Sequence, residues 1–537
     1  MNEIIQKAWT KDPPQKIMKQ LLNFYNQGQL SNTVAQAKAL LKQYPDKVII
    51  WNIMGAAKKA LGQIEEASEA FKKVTELKPD DSEAFNNLGV TLNDQGKLQE
   101  ALEVFNKAIS LKPEYAEAYY NLGLTLQEQG KLEDSIESYN KALSLKPDYV
   151  DAYNNVGNAL RDQGQLEKAI KAYQIALSLE PSYAEVHNNI GLILHQQGKL
   201  EGSIESFKKA ILLKPDYADA YNNMGNALKD LDQLEQAIKA YKNAISLKPG
   251  YAVAHNNLSF AFLNSGRFTE GLAEYEWRWE NPENKSIRRH FLRPTWDSEK
   301  SLKGKRILLW SEQGIGDTIN WSSVLPHISS QAEHCILECQ EKLVPLLAQS
   351  FPDVEVKAEN RSLDSKRDDF DFHIPLGSLY GQLITKISQN TKAKSYLIPD
   401  PVRVKFWRKR LNSLGNGPYV GISWKSSNMA PERIQNYAPI LEWSPILRLP
   451  KVTFINLQYK NFQSDLTKIK NELGVTVHNF DDLDHYDNLV DVAAFSAALD
   501  VVVSIKNTVS LISAGVGTST KLANWRQSPW NNILHNP

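Results

Sequence analysis

AFNNLGVTLNDQGKLQEALEVFNKAISLKP, residues 84–113, decides the fold of the first half of the chain. Leu88 and Leu92 stand about one helical turn apart, so Ala84–Asp94 carries an apolar face at helix spacing. Gly89 lies inside that helix, where it costs about 1 kcal/mol relative to Ala; its position makes sense if a partner helix comes too close there for a side chain. Gly96 breaks the helix. Leu98, Ala101, Leu102, Phe105, Ala108 and Ile109 then give Lys97–Leu111 a second amphipathic stripe. Pro113 cannot continue a helix and punctuates the unit.

The same unit recurs every 34 residues: prolines at Pro45, Pro79, Pro113, Pro147, Pro181, Pro215 and Pro249, and glycines at Gly55, Gly89, Gly123, Gly157, Gly191 and Gly225. A second glycine column runs from Gly28 through Gly198, with Asp232 and then Gly266 at its end. Aromatic residues (Phe71, Phe105, Tyr139, Tyr173, Phe207, Tyr241, Tyr275) and small ones (Ala108 to Ala244) keep the interval too. Five columns with one period resemble the tetratricopeptide (TPR) family. Eight units begin near residues 14, 48, 82, 116, 150, 184, 218 and 252. One helix pair cannot bury its apolar face alone, so an all-α superhelix of stacked pairs is expected, with the degenerate first unit as a cap.

Asn87, Asn121, Asn155, Asn189, Asn223 and Asn257 form a further column. Asn is a mediocre helix former, and an amide can both donate to and accept from an extended peptide backbone. The column resembles the asparagine ladder in the TPR superhelix of O-GlcNAc transferases, which implies a polypeptide or glycan-bearing acceptor in the groove. The plain alternative is an exposed Asn copied along by duplication.

At 537 residues the chain exceeds one ordinary core. Lys+Arg and Asp+Glu are both 62, so no global field draws nucleic acid or an anionic membrane, and neither partner is expected. Lys405, Arg408, Lys409 and Arg410 read as a solvated helix face. The N-terminus lacks a signal-peptide core, and no stretch approaches the roughly 20 apolar residues of a membrane span; a cytoplasmic protein is expected. The two cysteines, Cys335 and Cys339, read as buried small hydrophobes. No metal or other cofactor is expected.

The period stops near Glu280. The boundaries that follow are a tail at 1–13, the superhelix at 14–285, a connector at 286–305 and two lobes at 306–400 and 401–537. Strand-like runs occur at Arg306–Trp310, Cys335–Glu338, Phe372–Ile374, Tyr419–Trp424, Val452–Leu457, Val475–His478 and Val501–Ile505. Helical segments between them include Ile319–Ile328, Pro401–Leu414 and Asn488–Leu499. Alternation of this kind predicts parallel sheets covered on both faces, with ligands beyond the C-terminal strand ends.

Arg306–Thr318, with its Gly314-Ile315-Gly316-Asp317 step, is similar to the opening of bacterial TPR-linked glycosyltransferases related to the heptosyltransferases (glycosyltransferase family 9). Glu276-Trp277-Arg278-Trp279, Pro294–Asp297, Gly421–Lys425, Leu441–Trp443, Asn456–Gln458 and Ala498–Ser504 continue the likeness over nearly the whole chain. The resemblance implies an α/β, Rossmann-like two-lobed (GT-B) domain, with the acceptor on the first lobe and a nucleotide-sugar donor on the second. It implies inverting, metal-independent transfer to a hydroxyl. Asp317 would be the general base, the alternative being a helix N-cap. Lys425 would neutralise the leaving diphosphate, or be an ordinary loop lysine, and Gln458 would contact the donor. Lys506-Asn507-Thr508 would cradle the diphosphate at a helix N-terminus. The family pattern has Asp-Thr-Ser and then His here; this chain has Lys506 and Leu511 instead. Those departures motivate a second reading, a non-catalytic interaction scaffold with a decayed transferase domain. Ser528-Pro529-Trp530 is followed closely by Pro537, where a further helix returning across the cleft is expected, so a truncated second lobe is one reading.

Overall fold

The structure, a computed structural model, describes residues 12–284, 287–312, 314–387, 395–426 and 437–523. The segment around Ser528–Trp530 lies outside the described residues. Contacts divide the chain into two compact units, Met1–Ala227 and Leu228–Pro537.

The first unit is helix pairs, among them Ser82–Asp94 with Leu98–Leu111, Ala116–Glu128 with Leu132–Leu145, Val150–Asp162 with Leu166–Leu179, and Ala184–Gln196 with Leu200–Leu213. Gly55, Gly89, Gly123, Gly157 and Gly191 each face the aromatic residue of their own repeat. A Cβ on Gly89 would lie 2.6 Å from the Phe105 ring, and one on Gly157 would lie 2.3 Å from Tyr173. Those rings are fully buried, as are Ala108, Ala142 and Ala176 beneath them. The second glycine column serves a different need. Gly96, at φ +71°, has open space around it; its N–H donates to Asn93 O, and the Lys97 N–H donates to Leu92 O. That left-handed helix end is a Schellman motif, which favours glycine for its backbone and not for its size. Asp232 takes the same conformation at φ 60°.

The second unit begins with Leu234–Leu247, Ala252–Asn264 and Phe268–Tyr275. Two sheets follow. Strands β1 (Arg306–Trp310), β2 (His334–Cys339), β3 (Glu355–Ala358) and β4 (Phe372–Pro375) pair in the order β3-β2-β1-β4. Strands β5 (Tyr419–Ser423), β6 (Thr453–Asn456), β7 (Val477–His478), β8 (Val501–Ser504) and β9 (Ser519–Leu522) pair in the order β7-β6-β5-β8-β9. Every pairing is parallel. The order in which strands are added across the sheet reverses between β1 and β4 in one lobe and between β5 and β8 in the other, the switch points of open α/β sheets.

The expected Ile319–Ile328 helix is corrected. Ile315–Trp321 is helical, a 3-10 turn covers Ser322–Val324, and Leu325–Ser329 starts afresh around Pro326, whose missing N–H cannot extend the first helix. Leu263 and Leu272 of the last repeat share a core with Ile307, Leu309, Leu337, Leu376 and Leu379, so the array ends on the first sheet layer rather than on solvent. Cys335 and Cys339 are buried in β2, and burial pushes both thiols up to about 12.

Candidate functional site

A cleft of about 670 Å³ opens beyond the C-terminal ends of β1 and β8. One wall is Gly314, Ile315, Gly316 and Asp317 from the turn after β1; the other is Lys506, Asn507 and Thr508 from the turn after β8. Gly314 is the N-cap of the Ile315–Trp321 helix. Asp317 therefore stands in the first turn and does not cap it, which corrects the N-cap alternative. A carboxylate there still suits the positive end of the helix. Gly316 has its own reason: a Cβ would approach the Leu511 Cδ1 to 3.1 Å and the Thr508 Oγ1 to 3.9 Å. Leu511 thus packs against the Ile315–Trp321 helix of the first lobe.

Lys506 lines the cleft with its side chain still open to solvent. Desolvation by the surrounding protein pulls its pKa down to about 8, and the Asp317 charge pulls the other way. The two chemically distinctive residues of the site thus sense one another across the lobes. The Thr508–Gly515 helix is capped reciprocally: Asn507 Oδ1 accepts from the Ser510 N–H at 3.1 Å, and the Ser510 side chain accepts from the Asn507 N–H. Asn507 Nδ2 donates to Ser423 Oγ at 2.8 Å. Asn507 therefore shapes the turn, and Lys506 and Thr508 are the polar side chains beside it on the wall.

Two expected donor contacts lie elsewhere. Lys425 Nζ donates to Asp465 Oδ2 and to the Asn461 carbonyl, both at 2.6 Å, and Lys425 is absent from the cleft lining. Its charge is neutralised within its own lobe. Gln458 is buried, and its Oε1 accepts from Ser423 Oγ, Trp424 N and Lys425 N at 3.0–3.2 Å. It clamps the end of β5 instead of reaching a ligand.

Residues not singled out from the sequence complete the cleft: Lys342, Ser426, Tyr459, His485 and Tyr486. Lys342 and Lys460 each hold an ammonium 3.7 Å from the Tyr486 ring centre, and Lys342 also donates to the Tyr486 carbonyl at 3.2 Å. Burial pushes the His485 imidazole down to about 4. The clustered Asp484-His485-Tyr486 was the available signal, but the turn that aims it was not readable. Arg278 of Glu276–Trp279 is buried as well, pairing with Glu312 at 2.6 Å and Glu276 at 2.8 Å. Burial raises the Glu312 carboxyl to about 7, against the pull of Arg278. This network fastens the last repeat to the first lobe.

The asparagine column has a role that neither reading anticipated. Asn121 Nδ2 donates to Asn86 Oδ1 at 2.9 Å, Asn155 to Tyr120 Oη at 2.9 Å, Asn189 to Asn154 Oδ1 at 3.0 Å, and Asn223 to Asn188 Oδ1 at 3.1 Å. At these four positions the side-chain NH2 group donates to a side chain of the preceding repeat, so the column stitches one repeat to the one before. Asn87 and Asn257 are half-buried at the same position of their repeats. The doubled residues Asn86-Asn87, Asn154-Asn155 and Asn188-Asn189 carried the signal.

Residues 55–93, 91–130, 126–160, 157–198 and 191–232 match the family model described as TPR repeat, and 218–251 match the one described as tetratricopeptide repeat. The N-terminal array is a tetratricopeptide-repeat superhelix. Arrays of this family present extended concave surfaces to protein partners, and the tetratricopeptide region is read as such a surface. Among curated proteins the chain is similar to Protein FlbA of Caulobacter vibrioides, 33% identical over 270 residues that make up 48% of this chain and 45% of that protein. The chain thus spans less than half the length of that relative. Solved structures similar to it include YrrB, titled a TPR protein with an unusual peptide-binding site, at 26% identity over 35% of this chain and 96% of that one, TM-score 0.29. MamA follows at 31% identity over 31% and 97%, TM-score 0.29, and PilF of Pseudomonas aeruginosa at 20% over 38% and 97%, TM-score 0.34. Among the described residues, no helix is long and apolar enough to cross a membrane.

Proposed function

We propose that the chain is a tetratricopeptide-bearing glycosyltransferase of the two-lobed GT-B type, moving a sugar from a nucleotide-sugar donor to an acceptor hydroxyl. The array recruits the protein or glycan-bearing acceptor. The observation that carries the reading is one cleft lined by the Gly314–Asp317 turn of one lobe and the Lys506–Thr508 turn of the other. Asp317 takes the proton of the acceptor hydroxyl as its oxygen bonds to the anomeric carbon. The bond from that carbon to the diphosphate breaks on the opposite side, and the electron pair leaves with the nucleoside diphosphate. Its new charge meets the Lys506 ammonium, the Thr508 hydroxyl and the positive end of the Thr508–Gly515 helix.

Incubation with a panel of nucleotide sugars tests this directly. Donor turnover that falls at least 100-fold in Asp317→Asn supports the base; unchanged turnover removes it. One observation favours the second reading, a non-catalytic interaction scaffold: Leu511 fills the family's His position and packs on Gly316. Absence of both turnover and donor binding across the panel would establish that reading.

A further inference from the structure

A second crevice, about 450 Å³, lies at the other switch point, beyond the C-terminal ends of β1 and β4. Trp310, Pro375 and His373 form its strand-end floor, Trp279 and Phe291 its apolar wall, and Arg288, His290 and Arg293 stand exposed around it. None of these residues lines the cleft described above.

The segment that supplies the basic residues is fastened down. Arg289 is buried, its Nε donating to Asp364 Oδ2 at 2.9 Å and its guanidinium pairing with Glu338 at 2.7 Å. With Arg289 turned inward, its neighbours Arg288 and His290 are left on the exposed side. A few residues on, Thr295 forms a parallel bridge with His373; the His373 N–H donates to Pro294 O, and the Trp296 N–H donates to His373 O. Arg293 is thereby held at the mouth by a one-residue extension of the sheet.

Charge and polarity point the same way. Arg278, Arg306, Arg367, Arg403 and Arg408 each hold a carboxylate. Among the described residues, Arg288 and Arg293 have no ion-pair partner. Glu276, the acidic residue of the crevice, is already paired with Arg278 at 2.8 Å. Gln382 Oε1 lies buried in the wall without a hydrogen-bond partner, an acceptor waiting for a hydroxyl or N–H. Unpaired cations, a half-buried indole and an unfilled amide acceptor are the fittings for an anionic sugar ring.

We propose that this crevice is a second ligand site, for a small sugar carrying a phosphoryl or carboxylate group. Titration calorimetry of the full chain with glucose 6-phosphate, glucuronate and neutral glucose tests it. Binding of one or both anionic probes, with none of glucose, is the expected result. Arg288→Ala/Arg293→Ala, a change of two exposed side chains, weakens that binding at least tenfold without altering the circular dichroism. Gln382→Leu weakens it severalfold with the charge intact, and Lys506→Gln, in the other cleft, leaves it unchanged. Binding of neither anion at millimolar concentration overturns the proposal. So does binding that survives the double arginine change, or binding that disappears in Lys506→Gln.

Discussion

In the repeat array a residue meets its partner at a fixed offset, whereas in the sheet lobes partners come from unrelated distances along the chain. Gly89 rests on Phe105 and Gly157 on Tyr173; Asn121 is stitched to Asn86 and Asn189 to Asn154. In the lobes Lys425 is tied to Asp465, Asn507 to Ser423 and Arg278 to Glu312. A period is redundancy: it repeats one packing solution until the reason shows. The lobes state each solution once.

The largest effect expected belongs to the array. Tyr173→Ala empties a buried ring site and should cost about 3–5 kcal/mol, read as a lowered denaturation midpoint. Gly157→Ala forces a Cβ against that ring and should cost about 1–3 kcal/mol. Gly164→Ala meets no atom but must hold φ +76°, and should cost about 1–2 kcal/mol. Loss at Gly157 that Tyr173→Ala does not relieve in the double variant would break the fixed-offset account. Asn189→Ala removes bonds to Asn154 and Asn158 and should cost about 1 kcal/mol; a stability unchanged by it would return the column to a purely binding role.

The lobes supply the counterpart. Lys425→Met should lower stability by about 1–2 kcal/mol by leaving the Asp465 carboxylate without its cation, the Trp424 indole N–H remaining as a donor to it, and leave nucleotide binding nearly intact. Lys506→Gln should do the reverse. The smallest predicted effect is a pH slope. The Lys506 group is charged below its pKa of about 8, so diphosphate affinity should hold at pH 7 and fall as pH rises through that value, the bound anion moving the fall upward. Lys506→Gln should flatten the slope, whereas Lys425→Met should not.

The array was almost wholly legible, down to the close approach at Gly89. The doubled asparagines were legible too, but reading one column alone hid the bond across repeats. In the lobes the apolar runs announced β1, β2, β4, β5, β6 and β8. The edge strands Glu355–Ala358 and Ser519–Leu522 were missed, because polar edges suppress the signal that marks a strand. Of the site, Asp317 and Lys506–Thr508 could be named because each follows a strand end. Gln458 could not be placed, since what it clamps is a backbone turn that no side-chain pattern encodes. Tyr459, His485 and Tyr486 are brought to the cleft by loops whose path depends on tertiary contacts.

Calorimetric titration of the full chain with the common nucleoside diphosphates, repeated on Lys506→Gln, tests the cleft most directly. The account predicts that at least one diphosphate binds and that the substitution weakens it tenfold or more. No binding by any of them, or binding indifferent to Lys506, would contradict it.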